Sequence, residues 1–531
     1  MTPRGRDRAR RAGLAVAGGV LLYAAHPPAD LGWLGLVAVV PLLALGRDLR
    51  AAARPVAGGL WWGLLSGLVF FATLLTWLVP FGVVAWLLLA LIQAAFIGLF
   101  VAAVAAWGQR RFGAAAAVVA WVAMEAARTR WPLGGFPWGA LGYSQHEAGL
   151  LLPVARSLGV LGVSAACAAV AACVECGLAH RSILRPFLGL LGVAAVASGL
   201  AAVPPPAPGG DRLDIAAVQG NDLQRSGAAG VARLDDERIV NVAEAMLEAT
   251  RPLAGDPPDV TVWPENSLDA DVTDPANAEL RSIVSSALEL LNGEALVAGG
   301  LLAGPRPGTV YNAVLELGPG LAVDDTYRKR HPVPFGEYVP LRPVLGALPP
   351  LRQIPRDVLG ADSPGIVTVA GAPLGFVICF ENIFPALVRD QVRAGAELLV
   401  VSTNNASYGY SAMSRQHLAF SQLRAVESGR WTLHAGISGI SGVIDPFGAV
   451  TQRTGLYEEA IVRGELPLVS QPTPYVVVGD VVGVGAMMLV VLALLTAIAG
   501  RVREGRTGQP SGRNRRGWLA NAAGRRAPAE S

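Results

Sequence analysis

The chain has 531 residues, 52% of them hydrophobic and only 16% charged, with a net charge of +3. That balance excludes an ordinary soluble globule, and also a nucleic-acid binder, which needs many clustered basic residues. It fits an integral membrane protein if the apolar residues fall in runs of about 20. Seven such runs lie at 12–25, 31–46, 57–79, 83–107, 113–128, 154–179 and 186–203, the first two being short for a bilayer. An eighth, at 475–500, precedes a tail with eight arginines. No cleavage site stands out after the first run, so it is read as retained.

Charge sets the expected orientation. "PRGRDRARR" leads the first run, "GRDLRAAAR" follows the second, "GQRR" the fourth and "HRSILR" the sixth, whereas "AHPPADLG" and "PFG" between other runs carry no Lys or Arg. The positive-inside rule then predicts both termini in the cytoplasm. Residues 1–210 are read as a membrane domain of about seven spans, 211–470 as an exported domain, 471–500 as a final span and 501–531 as a disordered, arginine-rich cytoplasmic tail. Glu125 and Glu175, near the ends of apolar runs, are expected to snorkel. Of four cysteines, Cys167, Cys173 and Cys176 lie in the sixth run and are read as packing residues. The Cys173–Cys176 spacing lacks a second pair or a nearby histidine that would complete a zinc site. Cys379 is the only cysteine in the exported domain, so it has no disulfide partner there.

Within 211–470, strands are predicted at 213–219, 259–265, 295–303, 311–317, 322–329, 366–370, 374–380, 397–403, 432–438 and 441–446, and helices at 234–250, 275–292, 383–394 and 411–429. Strands mixed with helices over this length predict a layered α/β sandwich. Three strand ends carry chemistry: Glu265 in "VTVWPENS", Lys329 in "DDTYRKRH" and Cys379 in "LGFVICFENIF". A sharp strand-to-helix turn exposes the residue at its bend and suits a nucleophile. A neighbouring carboxylate can take a thiol proton, and an ammonium can face an oxyanion. Lys329 is the only lysine in the chain; every other Lys or Arg is arginine. Either arginine-rich composition left one stray lysine, or this position needs a compact point donor that a forked guanidinium cannot imitate.

"WPENS", "YRKRHPVPFGEYVP" and "GFVICFEN" resemble the Glu, Lys and Cys motifs of the nitrilase (carbon–nitrogen hydrolase) superfamily. With the membrane runs, and with "FPWGALGYSQ" (136–145) between runs five and six, the chain resembles the membrane-embedded apolipoprotein N-acyltransferase family. The resemblance implies an αββα catalytic domain with Glu265 as general base, Lys329 as oxyanion cation and Cys379 as nucleophile. Glu337 would support the centre, though a structural ion pair with Arg328 or Arg330 is the alternative. Glu381 would lie near the substrate, and the backbone N–H of Phe380 would help hold the oxyanion. The family often has tyrosine where this chain has Phe380. No tryptophan follows "VQGN" (218–221), and "TNNASYG" (403–409) replaces a more acidic, aromatic loop.

The implied reaction takes an acyl chain from a membrane phospholipid, through a Cys379 thioester, to the N-terminal amine of a diacylglyceryl apolipoprotein. No cofactor, metal or nucleic acid is implied, and a monomer in the inner membrane with its catalytic domain outside is expected. Residues 339–355 are read as a lid dipping into lipid. Trp138 and Tyr143 are read as substrate-side residues, either anchoring at the interface or lining the lipid entrance. A membrane-tethered amidase acting on a small soluble substrate, or a non-catalytic lipoprotein-binding member, would share parts of this pattern.

Overall fold

The computed structural model describes residues 2–107, 113–147, 149–180, 183–222, 236–348, 351–352 and 354–507. The arginine-rich tail beyond Thr507, with its expected disorder, lies outside the described residues. The N-terminal block holds α1 (Pro3–Ala24), α2 (Val40–Leu49), α3 (Pro55–Leu74), α4 (Val83–Trp107), α5 (Gly113–Arg128), α6 (Ala155–His180) and α7 (Leu184–Ala201). Among the described residues six segments are long and apolar enough to cross a membrane: Gly32–Leu49, Pro55–Leu74, Val83–Trp107, Leu152–His180, Leu184–Ala201 and Val481–Gly500.

Eight were expected, and the reasons for the difference are local. Five arginines occupy the first turns of α1. α5 has 16 residues, about 24 Å of helix, which is short of a hydrocarbon core of roughly 30 Å. Both still pack into the block, α1 on α3, and α5 on α4 and α6. α3 and α4 touch through small residues: Gly59, Gly63 and Gly67 recur one turn apart, and a Cβ on Gly63 would lie 2.8 Å from Gly98 Cα. Glu125 does not snorkel. It is buried and accepts from Leu141 N (2.8 Å) and Trp121 Nε1 (3.1 Å), tying α5 to the 129–153 loop. Glu175 is ion-paired with Arg47.

The second block runs β1 (Arg212–Gln219), α8 (Asp236–Thr250), β2 (Val260–Leu268), α9 (Ala278–Leu290), β3 (Ala295–Ala303), β4 (Thr309–Leu317), β5 (Val323–Arg328), α10 (Arg342–Leu345), β6 (Asp357–Val358), β7 (Ile366–Val369), β8 (Ala372–Ile378), α11 (Pro385–Arg393), β9 (Leu398–Thr403), α12 (Met413–Ser428), β10 (Thr432–Gly436), β11 (Gly442–Ile444), β12 (Val450–Arg453) and β13 (Ala460–Pro467). α13 (Pro474–Val478) and α14 (Val481–Thr507) follow. A break at Gly479 and Asp480 separates these two, so the last span starts later than the apolar run suggested.

One sheet has the order β13-β1-β2-β3-β4-β5, with β6 on β4, and the other β12-β11-β10-β9-β8-β7. In each, the three central strands are parallel: β1–β2–β3 and β8–β9–β10. Such strands are covered on both faces, and that is why "DVTVWPE", "LGFVICF" and "ELLVVST" read as apolar runs rather than alternating ones. The sheets close on each other through Ile215, Val262, Val314, Phe376, Val400 and Leu433. α8 and α9 cover the outer face of the first sheet, and α11 covers part of the second. The layers are therefore α, β, β, α.

α12 differs from the other covering helices because all of its residues but Arg415 are buried. Leu418 and Ala425 face Ile444 in the second sheet, while Phe420, Leu423 and Val426 join the core of the membrane helices. Polar side chains lock this joint. Gln416 accepts from Trp77 Nε1 (3.1 Å) and Trp138 Nε1 (2.7 Å) and donates to Pro27 O (2.8 Å) and Leu74 O (3.2 Å). Gly159 interrupts α6 at φ +68°, where a Cβ would run into the Tyr475 ring. The freed N–H of Val160 donates to Glu427 Oε1 (2.7 Å).

His146 closes the same joint. Its Nδ1 lies 2.7 Å from Gln422 Oε1 and its Nε2 2.9 Å from Asp30 Oδ1. With Glu147 these groups bring three ligand atoms within 4.8 Å of one another, but both ring nitrogens are taken up by hydrogen bonds, so the group acts as a clasp. Burial alone would lower His146; Asp30, Gln422 and Glu147 outweigh it and raise it above the ordinary histidine value, while Asp30 is lowered. A group raised in the folded state contributes stability below its unfolded pKa and loses it as pH rises through the folded pKa. Thermal stability in detergent is therefore expected to fall as pH climbs from about 6 through the raised His146 value, and His146→Asn is expected to flatten that slope. An unchanged slope in the variant would contradict the clasp.

Candidate active site

Three strand ends of the sandwich converge. Glu265 comes from β2, Lys329 immediately follows β5, and Cys379 immediately follows β8. All three are buried, at 4%, 1% and 9% exposure, so their charges interact without much solvent screening. Lys329 Nζ donates to Glu265 Oε1 (3.1 Å) and to Glu337 Oε1 (2.8 Å). Glu337 therefore pairs with the lysine and not with Arg328 or Arg330. Its other oxygen accepts from Val333 N (2.6 Å), which curls "PVPFGE" back over Lys329. Asn312 Nδ2 bridges the two carboxylates, donating to Glu265 Oε1 (2.7 Å) and Glu337 Oε1 (3.1 Å). The remaining oxygen of Glu265 accepts from Asn404 N at 2.9 Å.

Cys379 sits at φ +52°, a left-handed conformation that non-glycine residues rarely adopt. Strain of this kind persists only where the surroundings enforce it. Here they do: β8 ends, a short helical turn of Cys379–Ile383 begins, and His417 Nε2 lies 3.0 Å from Cys379 O. Burial pushes the thiol up, Glu265 adds to this, and Lys329 and Thr403 pull it back, leaving it at about 12. Lys329 would be lowered by burial, but Glu265 and Glu337 outweigh that and hold it well above the ordinary lysine value, so it is a cation.

Glu381 is fully buried, accepting from Tyr327 OH (2.8 Å), Arg330 N (2.6 Å), His331 N (3.1 Å) and Ile378 N (2.7 Å). Four donors use up the carboxylate, so it is a brace clamping the Cys379 turn to the strand end that carries Lys329. Glu381→Ala orphans these donors at about 1–3 kcal/mol for each one that stays buried. A marked drop in thermal stability, together with slower labelling of Cys379, is the expected result; wild-type stability would contradict the brace.

Trp138 and Tyr143 are both buried, at 2% and 1% exposure. Trp138 bonds to Gln416, while Tyr143 OH donates to Ile383 O (3.3 Å) and accepts from Arg424 Nη2 (3.2 Å). They seat the Cys379 turn and α12 on the membrane block. Phe380 lies at the rim, its ring 6.2 Å from Phe136 and 6.0 Å from His331. Leu341 and Val344, in the expected lid, are about three-quarters exposed, and Arg342 anchors that segment to Asp357 (Nε–Oδ2 2.7 Å). Asn312, Thr403, Asn404 and His417 escaped the motif reading. An asparagine inside the apolar strand "YNAVLEL" was the available signal for the first.

Residues 18–173 match the family of the apolipoprotein N-acyltransferase N-terminal domain, and residues 214–471 match the carbon–nitrogen hydrolase family. The apolipoprotein N-acyltransferase of Gloeobacter violaceus is 33% identical over 93% of this chain and 95% of its own. That of Mycolicibacterium smegmatis is 34% identical over 93% of this chain and 86% of its own. Among solved structures, an amidase from Nesterenkonia sp. is 20% identical over 49% of this chain and 92% of its own, with a TM-score of 0.34.

Proposed function

Because the chain belongs to the apolipoprotein N-acyltransferase family, we propose that it moves an acyl chain from a membrane phospholipid to the N-terminal amine of a diacylglyceryl apolipoprotein through a Glu265–Lys329–Cys379 triad. The observation that carries the proposal is the buried contact of Lys329 with Glu265, 3.1 Å long, beside a cysteine held on a left-handed bend.

In the first half, Cys379 Sγ attacks the ester carbonyl carbon and its proton passes to Glu265. A C–S bond forms, and the oxyanion develops against Lys329 and the backbone N–H of Phe380. Collapse breaks the ester C–O bond, and Glu265 returns the proton to the departing glycerol oxygen. Lysophospholipid leaves and a thioester remains. In the second half, the α-amine of the lipidated cysteine attacks the thioester and gives a proton to Glu265. The C–S bond breaks, the sulfur recovers that proton, and an amide is released. This two-stage exchange is ping-pong.

The arginine-flanked apolar segments support both termini in the cytoplasm and a catalytic domain on the outer face of the inner membrane. The exposed Leu341 and Val344 support a lid that rests in the lipid surface.

The test is to incubate detergent-purified protein with phospholipid labelled in its acyl chains and a synthetic diacylglyceryl lipopeptide. Label in an amide on the lipopeptide is expected. Label released only as free fatty acid would replace this reading with a membrane-tethered hydrolase.

A further inference from the structure

We propose that Thr403 is a further catalytic residue: its hydroxyl donates to the Cys379 sulfur as the thiolate forms, and Asn405 and His417 hold it so that its one hydrogen can turn from Asn405 to the sulfur. This rests on the reading of Cys379 as nucleophile.

The backbone brings the two residues together. In the parallel ladder of β8 and β9, Ile378 pairs with Ser402, so Cys379 and Thr403 leave neighbouring strands side by side. On its other flank Thr403 pairs with Gly436, which has no side chain to crowd the hydroxyl. Thr403 Oγ1 lies 3.2 Å from Asn405 Oδ1 and 3.5 Å from His417 Nδ1, and the register of the two strands brings it alongside Cys379, whose thiol it pulls down in pKa.

The protons can be assigned from chemistry. His417 Nε2 lies 3.0 Å from Cys379 O, and a carbonyl only accepts, so the ring hydrogen is on Nε2. Burial lowers the imidazole to about 4, so the ring is neutral and Nδ1 is an acceptor. Asn405 Nδ2, 3.4 Å away, can fill that acceptor. The threonine hydroxyl then gives its one hydrogen to Asn405 Oδ1 in the resting site, with the sulfur of the neighbouring strand end as the alternative acceptor. When the thiol proton moves to Glu265, the sulfur becomes the stronger acceptor because it is charged. The hydroxyl turns from Asn405 to the thiolate; no bond is made or broken at Thr403.

The test compares Thr403→Val, which keeps the shape without the hydroxyl, with Thr403→Ser, which restores it. Thr403→Ala takes the place of the valine variant if that one does not fold. Two quantities are read on the full chain: the rate of Cys379 acylation by labelled phospholipid, and the pH profile of Cys379 alkylation by iodoacetamide, followed on its own peptide by mass spectrometry. Loss of a hydrogen bond to a charged group is expected to slow acylation roughly 10- to 100-fold and to move the alkylation midpoint to higher pH, with serine recovering both. A valine or alanine variant whose alkylation profile matches wild type overturns the proposal, whether or not its rate has changed. Failure of the wild type to carry acyl label on Cys379 overturns the nucleophile assignment instead, and is read before either variant.

Discussion

Lys329→Arg is expected to keep the fold and the net charge yet lose at least about 100-fold in acyl transfer, the range seen when an oxyanion donor is removed. The ammonium is 1% exposed and enclosed by Glu265, Glu337 and Asn312. A guanidinium is wider, spreads its hydrogens in a plane and would have to displace Asn312 to enter. Deleting the charge altogether, as in Lys329→Met, leaves the buried Glu265 and the half-buried Glu337 without their cation; breaking a buried pair in this way commonly costs about 3–5 kcal/mol of stability. The arginine variant is thus the cleaner probe, with melting temperature as its control. Near-normal turnover in a folded Lys329→Arg protein would return the lone lysine to arginine-rich composition.

Glu265→Gln is expected to produce two opposite changes. Turnover falls by roughly 10²–10⁴-fold, as expected for loss of a general base. Alkylation of Cys379 at neutral pH speeds up. The sign follows from the charges: Glu265 raises the thiol pKa, so neutralising it lowers that pKa and increases the thiolate fraction at fixed pH. A variant slow in both assays would mean that the substitution had disturbed the site generally, for instance by setting the glutamine amide against Asn404 N, which now donates to Glu265 Oε2. A variant unchanged in both would remove Glu265 from the mechanism.

How much of this was legible beforehand depended on whether a residue's role is local. Glu265 and Cys379 belong to or follow β2 and β8, buried parallel strands that announce themselves as apolar runs, whereas Lys329 follows β5, an antiparallel edge strand "VDDTYR", and was marked by being the only lysine; their convergence is what a two-sheet sandwich does with neighbouring strands. The edge strands β6, β12 and β13 were missed. β12 carries "VTQR", three of whose residues are exposed, β13 exposes Glu465 along one side, and β6 is two residues long.

Glu381, Trp138 and Tyr143 show a different limit. The family resemblance implies Glu381 near the substrate, and Trp138 and Tyr143 are expected at the membrane interface or the lipid entrance. All three are buried: Glu381 ties the Cys379 turn to the strand end of Lys329 within one block, while Trp138 and Tyr143 lie at the joint between the two blocks. Gln416 on α12 partners Trp138 from 278 positions away, a pairing that no periodicity reveals.

The most direct measurement is to incubate the purified wild-type chain with acyl-labelled phospholipid, without acceptor, and to locate the label. The account predicts about one acyl group per chain on the Cys379 peptide, released by hydroxylamine and absent from Cys379→Ala. Equal label on the alanine variant, or none on a folded wild type, would contradict the claim that these strand ends form a thioester-making site.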